Sequence, residues 1–277
     1  MKTSLYRNLI VTYVFLLVYF SFLLLPMLWI IYSSFRTPGA IFSRQIFSSF
    51  RDLTLDNYHR ILAFTDFPTT MMNSFKIATG VTIVTMILAT LGGYGLSRYR
   101  VKGRDFFILG IFSSQMFPPV LILIPLYTWL LHLGFVDTYP GIILSQTILS
   151  LPFTVWMLKG YFDGTPRELD EAARIDGCST LGILFRIILP IAAPGILVAA
   201  FFAFMVSWGD YLIVSVLAQS NATATIPFSL GRIVNSLQVK WGDVAAAAVL
   251  TIVPTVALFA LVQRWLIEGL TAGAVKQ

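Results

Sequence analysis

Asp163-Gly164-Thr165-Pro166-Arg167-Glu168-Leu169-Asp170-Glu171-Ala172-Ala173-Arg174-Ile175-Asp176-Gly177-Cys178-Ser179 is a charged stretch set between two uncharged runs, 138–158 and 187–209. Each of those runs is long enough to cross a bilayer as a helix, which takes about 20 mostly apolar residues. The polar stretch has its own helical signals. Thr165 is expected to cap a helix that begins at Pro166, with Glu168 closing a capping box. Gly177 is expected to end that helix in the left-handed conformation. Ser179 is placed to cap a second helix running through Ile183, Leu184 and Ile187 toward Leu189-Pro190. The segment 160–188 therefore reads as a soluble helix-turn-helix inserted between two membrane spans.

The rest of the chain sets the fold class. It has 277 residues, of which 57% are apolar and 12% charged, and its mean hydropathy is +0.81. Soluble domains carry about 25% charged residues. Uncharged runs cover 8–35, 77–97, 106–136, 138–158, 187–209, 211–231 and 244–263. The run 211–231 is weakened by polar Gln219-Ser220-Asn221-Ala222-Thr223-Ala224-Thr225, which reads as a loop. Six spans are expected, near 9–32, 73–96, 106–131, 140–159, 189–214 and 244–264. Backbone exposed to lipid must bond within its own segment, so each span should be a helix. A β-barrel would show alternating segments of about ten residues, and none are found. The fold class is all-α, a single polytopic membrane domain over 1–277.

Lys and Arg orient it. With the N-terminus inside, the inner segments hold Lys2, Arg7, Arg98, Arg100, Lys102, Arg104, Lys159, Arg167, Arg174, Arg186, Arg264 and Lys276. The outer segments hold Arg36, Arg44, Arg51, Arg60, Arg232 and Lys240. Both termini are thus expected in the cytoplasm, and 160–188 on the cytoplasmic face. The net charge of +6 reflects this bias and gives no support for nucleic-acid binding. The first run, 28 residues without charge, exceeds the 7–15 of a signal-peptide core and reads as an uncleaved anchor.

Several features have competing readings. Gly92-Gly93-Tyr94-Gly95 is read as a close helix crossing in preference to phosphate binding. Arg98-Tyr99-Arg100-Val101-Lys102-Gly103-Arg104 is read as a topology anchor. Pro118-Pro119 and Pro125 predict a kink in the third span, beside either a translocation path or a packed neighbour. Asp210 lies about 30 Å beyond Pro190 if one helix joins them, near the outer end of the fifth span. An acid there is either hydrated, packed or part of a solute path. Gln115, Gln146, Trp156, Trp208 and Tyr211 are further candidates for a path wide enough for a sugar.

Chemistry is argued against by what the sequence lacks. No Gly is followed by Lys, so there is no P-loop. His59 and His132 are the only histidines, and neither lies in a zinc motif. No Gly-x-Ser-x-Gly elbow is present. No cofactor or metal is expected. A self-sufficient secondary transporter would place ionisable sites in paired repeats near the midplane, and the spans are almost free of acids.

Glu171-Ala172-Ala173, three residues, Gly177, nine residues, Ile187, one residue and Leu189-Pro190 resemble, at full spacing, the signature loop of permease subunits in binding-protein-dependent ABC importers. Leu55-Asp56-Asn57-Tyr58, Asn73-Ser74, Phe117-Pro118-Pro119, Ile124-Pro125-Leu126 and the tail Gly269-Leu270-Thr271-Ala272-Gly273-Ala274-Val275-Lys276 are similar to the maltose-type carbohydrate permeases. Trp208-Gly209-Asp210 departs from the Trp-Asn-Glu common in that group, which puts any carried-over role at Gly209 in doubt. The resemblance implies the type I importer fold in a prokaryotic inner membrane. It implies pairing with a homologous second permease, usually as a heterodimer, with two copies of a cytoplasmic ATPase and with an external solute-binding protein. A sugar-like solute would cross by alternating access. Glu171, Ala172, Ala173, Asp176, Gly177, Leu189 and Pro190 would couple the permease to the ATPases.

Overall fold

The apolar runs do become helices. The computed structural model describes residues 2–41, 52–99, 102–235 and 238–274. Arg44, Arg51, Arg100 and Val101, and Val275 and Lys276 of the tail motif, lie outside the described residues. In chain order the helices are α1 (Lys2–Ser34), α2 (Pro38–Ile41), α3 (Asp56–Phe64), α4 (Phe67–Arg98), α5 (Arg104–Met116), α6 (Pro119–His132), α7 (Tyr139–Asp163), α8 (Glu168–Ile175), α9 (Thr180–Ile183), α10 (Leu189–Ile191), α11 (Ala193–Trp208), α12 (Leu212–Leu217), α13 (Ile226–Val234) and α14 (Trp241–Ala274). A π-helical turn, Leu184–Ile188, joins α9 to α10. Among the described residues the sole extended pairing is one bridge between Arg36 and Leu53.

Four helices are long and apolar enough to cross a membrane, and six spans result if each of two bent pairs counts as one. The bends correct the expected boundaries. The third span, expected to be a kinked helix over 106–131, is cut in two, and α5 and α6 meet at 98°. The cause is Pro118-Pro119. A residue before proline is pushed out of the helical region, and Phe117 (φ −75°, ψ 129°) and Pro118 (φ −58°, ψ 122°) are both extended. The fifth span, expected over 189–214, also breaks twice. It bends by 86° around Ala192, where Pro194 lacks the N–H that would bond to Pro190 O. It stops again at Trp208. Asp210 therefore sits in a gap between two helices and is not carried out along a single rod.

The contacts divide the chain into two units, residues up to 68 with 230–253, and 69–229 with the segment from 254. In the first unit α1 exposes apolar side chains all round, including Phe22, Leu17 and Leu25. A helix apolar on every face suits lipid or a protein partner. Its C-terminal end is fastened by the Leu55–Tyr58 motif. Asn57 is fully buried and donates to Ser34 O (2.8 Å) and Arg36 O (2.9 Å). Tyr58 Oη lies 2.7 Å from Ser34 Oγ, and Arg60 pairs with Asp243 at 2.7 Å. That carboxylate raises the Arg60 pKa further above its ordinary value.

In the second unit α4, α7 and α11 pack together, and small residues set the spacing. A Cβ on Gly93 would lie 3.2–3.3 Å from Leu158 Cβ, Val155 O and Lys159 N of α7, and one on Gly195 would lie 2.3 Å from the Tyr161 ring. The expected close crossing at Gly92–Gly95 is thus made by Gly93. Two apolar cores result. One holds Tyr94, Leu158, Phe162, Ala173, Ile183 and Ile188. The other holds Ile77, Val81, Leu130, Ile142, Ile213 and Leu217.

Candidate functional site: the 160–190 hairpin and a polar cluster

The hairpin forms, with one change at its start. Thr165 does not cap. It is buried, and its hydroxyl donates back to Tyr161 O (3.3 Å) in the last turn of α7. Helix α8 begins only at Glu168, because Pro166-Arg167 serves as the turn out of α7. Glu168, Asp170 and Glu171 fill its first turn, where negative charge complements the helix dipole. Gly177 behaves as expected, with φ +80°. Cys178 N donates to Ala173 O (2.9 Å) and Gly177 N to Arg174 O (3.0 Å), the two bonds of a Schellman ending. Ser179 Oγ accepts from Gly182 N (3.2 Å) and caps α9 as expected.

The signature residues divide between two faces. Glu171, Ala172, Asp176, Gly177 and Pro190 are exposed. Ala173 is buried against the first core, and Leu189 is half-buried beside it. Of the two alanines, only Ala172 is presented outward. Beside these residues the hairpin exposes Leu169, Leu181 and Phe185, and Ile175 at 88% exposure. The sequence reading missed these four. These apolar side chains are left uncovered by the rest of the chain.

The inward side is polar and buried. Tyr94 Oη donates to Asp170 Oδ1 (2.7 Å), and Arg98 Nε lies 3.0 Å from Asp170 Oδ2 with both side chains at most 6% exposed. Arg98 also donates to Phe162 O (2.9 Å) and Thr165 O (3.1 Å). Arg167 donates to Ser97 O (2.8 Å), and Ser97 Oγ to Asp163 (2.7 Å). Lys159 pairs with Asp163 one turn further along α7. Arg98, expected only to anchor topology, is the centre of this network.

The solute-path candidates separate in the same way. Gln146, buried, donates to Asp210 Oδ2 (2.9 Å) and accepts from Ser207 Oγ. Asp210 also accepts from Ile213 N (3.5 Å) and Val214 N (3.3 Å), so it caps α12 across the break. Trp208 packs between Phe75 (4.8 Å) and Phe204 (5.5 Å). Trp208 Nε1 and Thr147 Oγ1 are buried without a hydrogen-bond partner among the described residues. The structure thus gathers Gln146 and Asp210 and adds Ser207, while Trp208 packs among aromatic rings. Tyr211, next in the chain, is exposed and faces Phe228 at 6.4 Å. Gln115 instead meets α7 at Leu149 O (3.3 Å). Trp156 lies about 15 Å along α7 from Gln146 and packs near Phe153.

The other end of α4 is clamped without charge. Asn73 donates to Ala224 O (3.0 Å) and Asn221 O (3.2 Å), accepts from Tyr139 Oη (2.6 Å), and Ser74 Oγ accepts from Ile226 N (2.9 Å). The polar stretch 219–225 is the expected loop. Asp137, at φ 58°, holds its near side by accepting from Gln219 N (3.0 Å), Ser220 N (3.2 Å) and Thr223 Oγ1. Partial burial pushes the Asp137 carboxyl up, but these donors outweigh it and leave its pKa below the ordinary value.

A charged hairpin on an all-helical membrane body, with an outward apolar and acidic face, is the arrangement of an importer permease. The chain belongs to the family described as "Binding-protein-dependent transport system inner membrane component", which matches residues 82–271. It is the multi-pass membrane component of an ABC importer, and ATP hydrolysis belongs to separate ATPase subunits. It is 38% identical over 204 residues to the inner membrane ABC transporter permease protein YcjP of Escherichia coli (strain K12), covering 74% of this chain and 73% of that one. It is 35% identical over 276 residues to the maltodextrin transport system permease protein MdxG of Bacillus subtilis (strain 168), covering 99% of each. Its fold matches a chain of a bacterial ABC transporter involved in the import of the acidic polysaccharide alginate, with TM-score 0.82, 24% identity and coverage of 92% and 95%.

Proposed function

We propose that this chain carries a carbohydrate or related small polar solute across the inner membrane by alternating access, driven by ATPase subunits that dock on the 160–188 hairpin. The chain acts as one permease domain with six spans and both termini in the cytoplasm. It pairs with a homologous second permease, two ATPase copies serve the pair, and a solute-binding protein delivers to the outer face. The carbohydrate class rests on MdxG, whose name specifies maltodextrin.

One observation carries the coupling role. The hairpin exposes Glu171, Ala172, Ile175 and Asp176 while its opposite side is tied into the body through Asp170 and Ala173. A surface that is apolar, charged and rigidly backed suits a protein partner. A solvated linker would need neither the exposed Ile175 nor the buried ion pair. The Gln146–Ser207–Asp210 group supports a narrower path role. Gln146 and Asp210 satisfy each other and hold the break between α11 and α12.

The test is co-purification of the chain with its ATPase, followed by solute-stimulated ATP hydrolysis in lipid with maltodextrin as the probe. Gly177→Val is the diagnostic variant. Nothing lies within 4 Å of a Cβ at Gly177, so the variant is not clashed, only strained by its positive φ. It should insert normally and lose stimulation. Normal stimulation in that variant would remove the hairpin from the coupling path.

A further inference from the structure

Helix α8 buries only two of its side chains, Asp170 and Ala173, which lie one turn apart on one face. Ala173 meets an apolar core. Such a contact resists compression and yields easily to separation. Asp170 is held differently. Each carboxylate oxygen has its own partner, Tyr94 on Oδ1 and Arg98 on Oδ2. Those partners stand at i and i+4 on α4 and so share one face. The Tyr94 contact is a directional hydrogen bond, and the Arg98 contact is a buried ion pair at 3.0 Å without hydrogen-bond alignment, so sliding or lifting α8 against α4 breaks the first or pulls the second apart. The remaining Arg98 nitrogens grip Phe162 O and Thr165 O, and Arg167 reaches back to Ser97 O. The joint between α7 and α8 is therefore fastened to the same end of α4.

We propose that Asp170, Arg98 and Tyr94 form a two-way clasp that makes the coupling helix and α4 move as one body, so that the ATPase can pull on the spanning helices as well as push them. The proposal rests on the reading of 160–188 as the ATPase contact. These three are positioning residues, because they face inward and touch neither the ATPase nor the solute. An importer cycle has two strokes, closing and resetting, and an apolar contact alone serves only the compressive one. The clasp also fixes where the stroke goes. Helix α4 has 32 residues, about 48 Å of helix. It is bonded midway to α7 through Thr85 and Ser150 (2.9 Å), and at its far end to the 221–226 loop through Asn73 and Ser74. Displacement at α8 is delivered by a single rigid element to the opposite face.

The experiment uses the assembled complex in nanodiscs, in a Cys178→Ser background with spin labels at Arg174→Cys on α8 and Ile83→Cys on α4. The unchanged clasp should hold the label distance constant between the nucleotide-free state and the state with a non-hydrolysable ATP analogue. Asp170→Asn keeps the size of the side chain and removes its charge. It should keep the ATPase bound, let the label distance change with nucleotide, and cut stimulation of ATP hydrolysis by the solute-binding protein about tenfold, the scale of a typical coupling free energy. Tyr94→Phe removes one bond and keeps the ion pair, so it should cut stimulation about twofold, within the range of mutations that modulate coupling. If the Asp170→Asn permease fails to fold, Tyr94→Phe decides, and full stimulation with a constant distance in that variant overturns the clasp. An Asp170→Asn complex with full stimulation overturns it as well. Loss of the ATPase from a folded Asp170→Asn permease also overturns it, because the pair would then shape the docking surface and not transmit force. Glu171→Arg, on the outward face, tests the underlying reading separately. An ATPase still bound and stimulated in that variant would refute the contact while leaving the label distances to report on the clasp.

Discussion

The two ends of α4 are both clamped by buried polar side chains, and they are clamped by different chemistry. At the hairpin end an ion pair and a phenol hold Asp170. At the far end an amide and a hydroxyl, Asn73 and Ser74, hold a loop by its backbone. Removing one partner of a buried neutral hydrogen bond costs about 1–3 kcal/mol, whereas removing one member of a buried ion pair costs about 3–5 kcal/mol. The surfaces differ too. The hairpin end leaves the large apolar side chains Ile175, Leu181 and Phe185 open, while the far loop opens Gln219, Ser220, Asn221 and Ala222 and buries Thr223, Ala224 and Thr225. The end with the strong tie is the end with the unfilled contact surface, as expected if force enters there and is only received at the other.

Substitutions of graded size separate the two ends. Arg98→Ala should have the largest effect. It leaves Asp170 buried without its cation, and thermal unfolding in detergent should show a loss of about 3–5 kcal/mol. A loss near zero would mean the pair is solvated and the two ends are equivalent. Asn73→Ala should come next, at about 1–3 kcal/mol for the backbone acceptors it leaves unpaired. Its mark should be faster proteolysis in 219–225 with the hairpin unaffected. Gly177→Val should cost about 1–2 kcal/mol through left-handed backbone strain, a small loss of stability set against a complete loss of coupling.

The smallest effect expected is that of pH on the Asp137 anchor. Its folded pKa lies below its unfolded one, so it contributes stability that is fully present above about pH 4, the ordinary carboxylate value. That contribution is lost as pH falls through the folded value. Hydrogen exchange in 217–225 should therefore quicken below about pH 4 and be flat from there to neutrality. A change centred near neutrality would remove Asp137 as the anchor.

What could be read from the sequence was whatever depends on neighbours in the chain. The uncharged runs gave the helices, Ser179 gave its cap, and Gly177 gave its positive φ, because each needs only a few adjacent residues. Thr165 looked like an equally good cap. It failed because Tyr161 O, one turn back, offered its hydroxyl a buried acceptor. Pro118-Pro119 was visible as a helix breaker, but its 98° bend is decided by packing, and the 86° bend at Ala192 inside an expected continuous span was not foreseen. The clasp was not legible at all. Tyr94 and Asp170 are 76 residues apart, and Arg98 in a run of basic residues looks the same whether it orients the membrane protein or neutralises a buried acid. Of the solute-path candidates only Gln146 and Asp210 are bonded to each other, and Asp210 turned out to cap α12, because the break at Gly209 was not expected.

If the hairpin receives the ATPase, α4 separates that contact from the solute-facing side. Photo-crosslinking in the assembled complex tests it most directly, with the probe placed once at Ile175 and once at Gln219. Capture of the ATPase from Ile175 and of the solute-binding protein from Gln219 is expected. Capture of the ATPase from Gln219, or of lipid alone from Ile175, would contradict it.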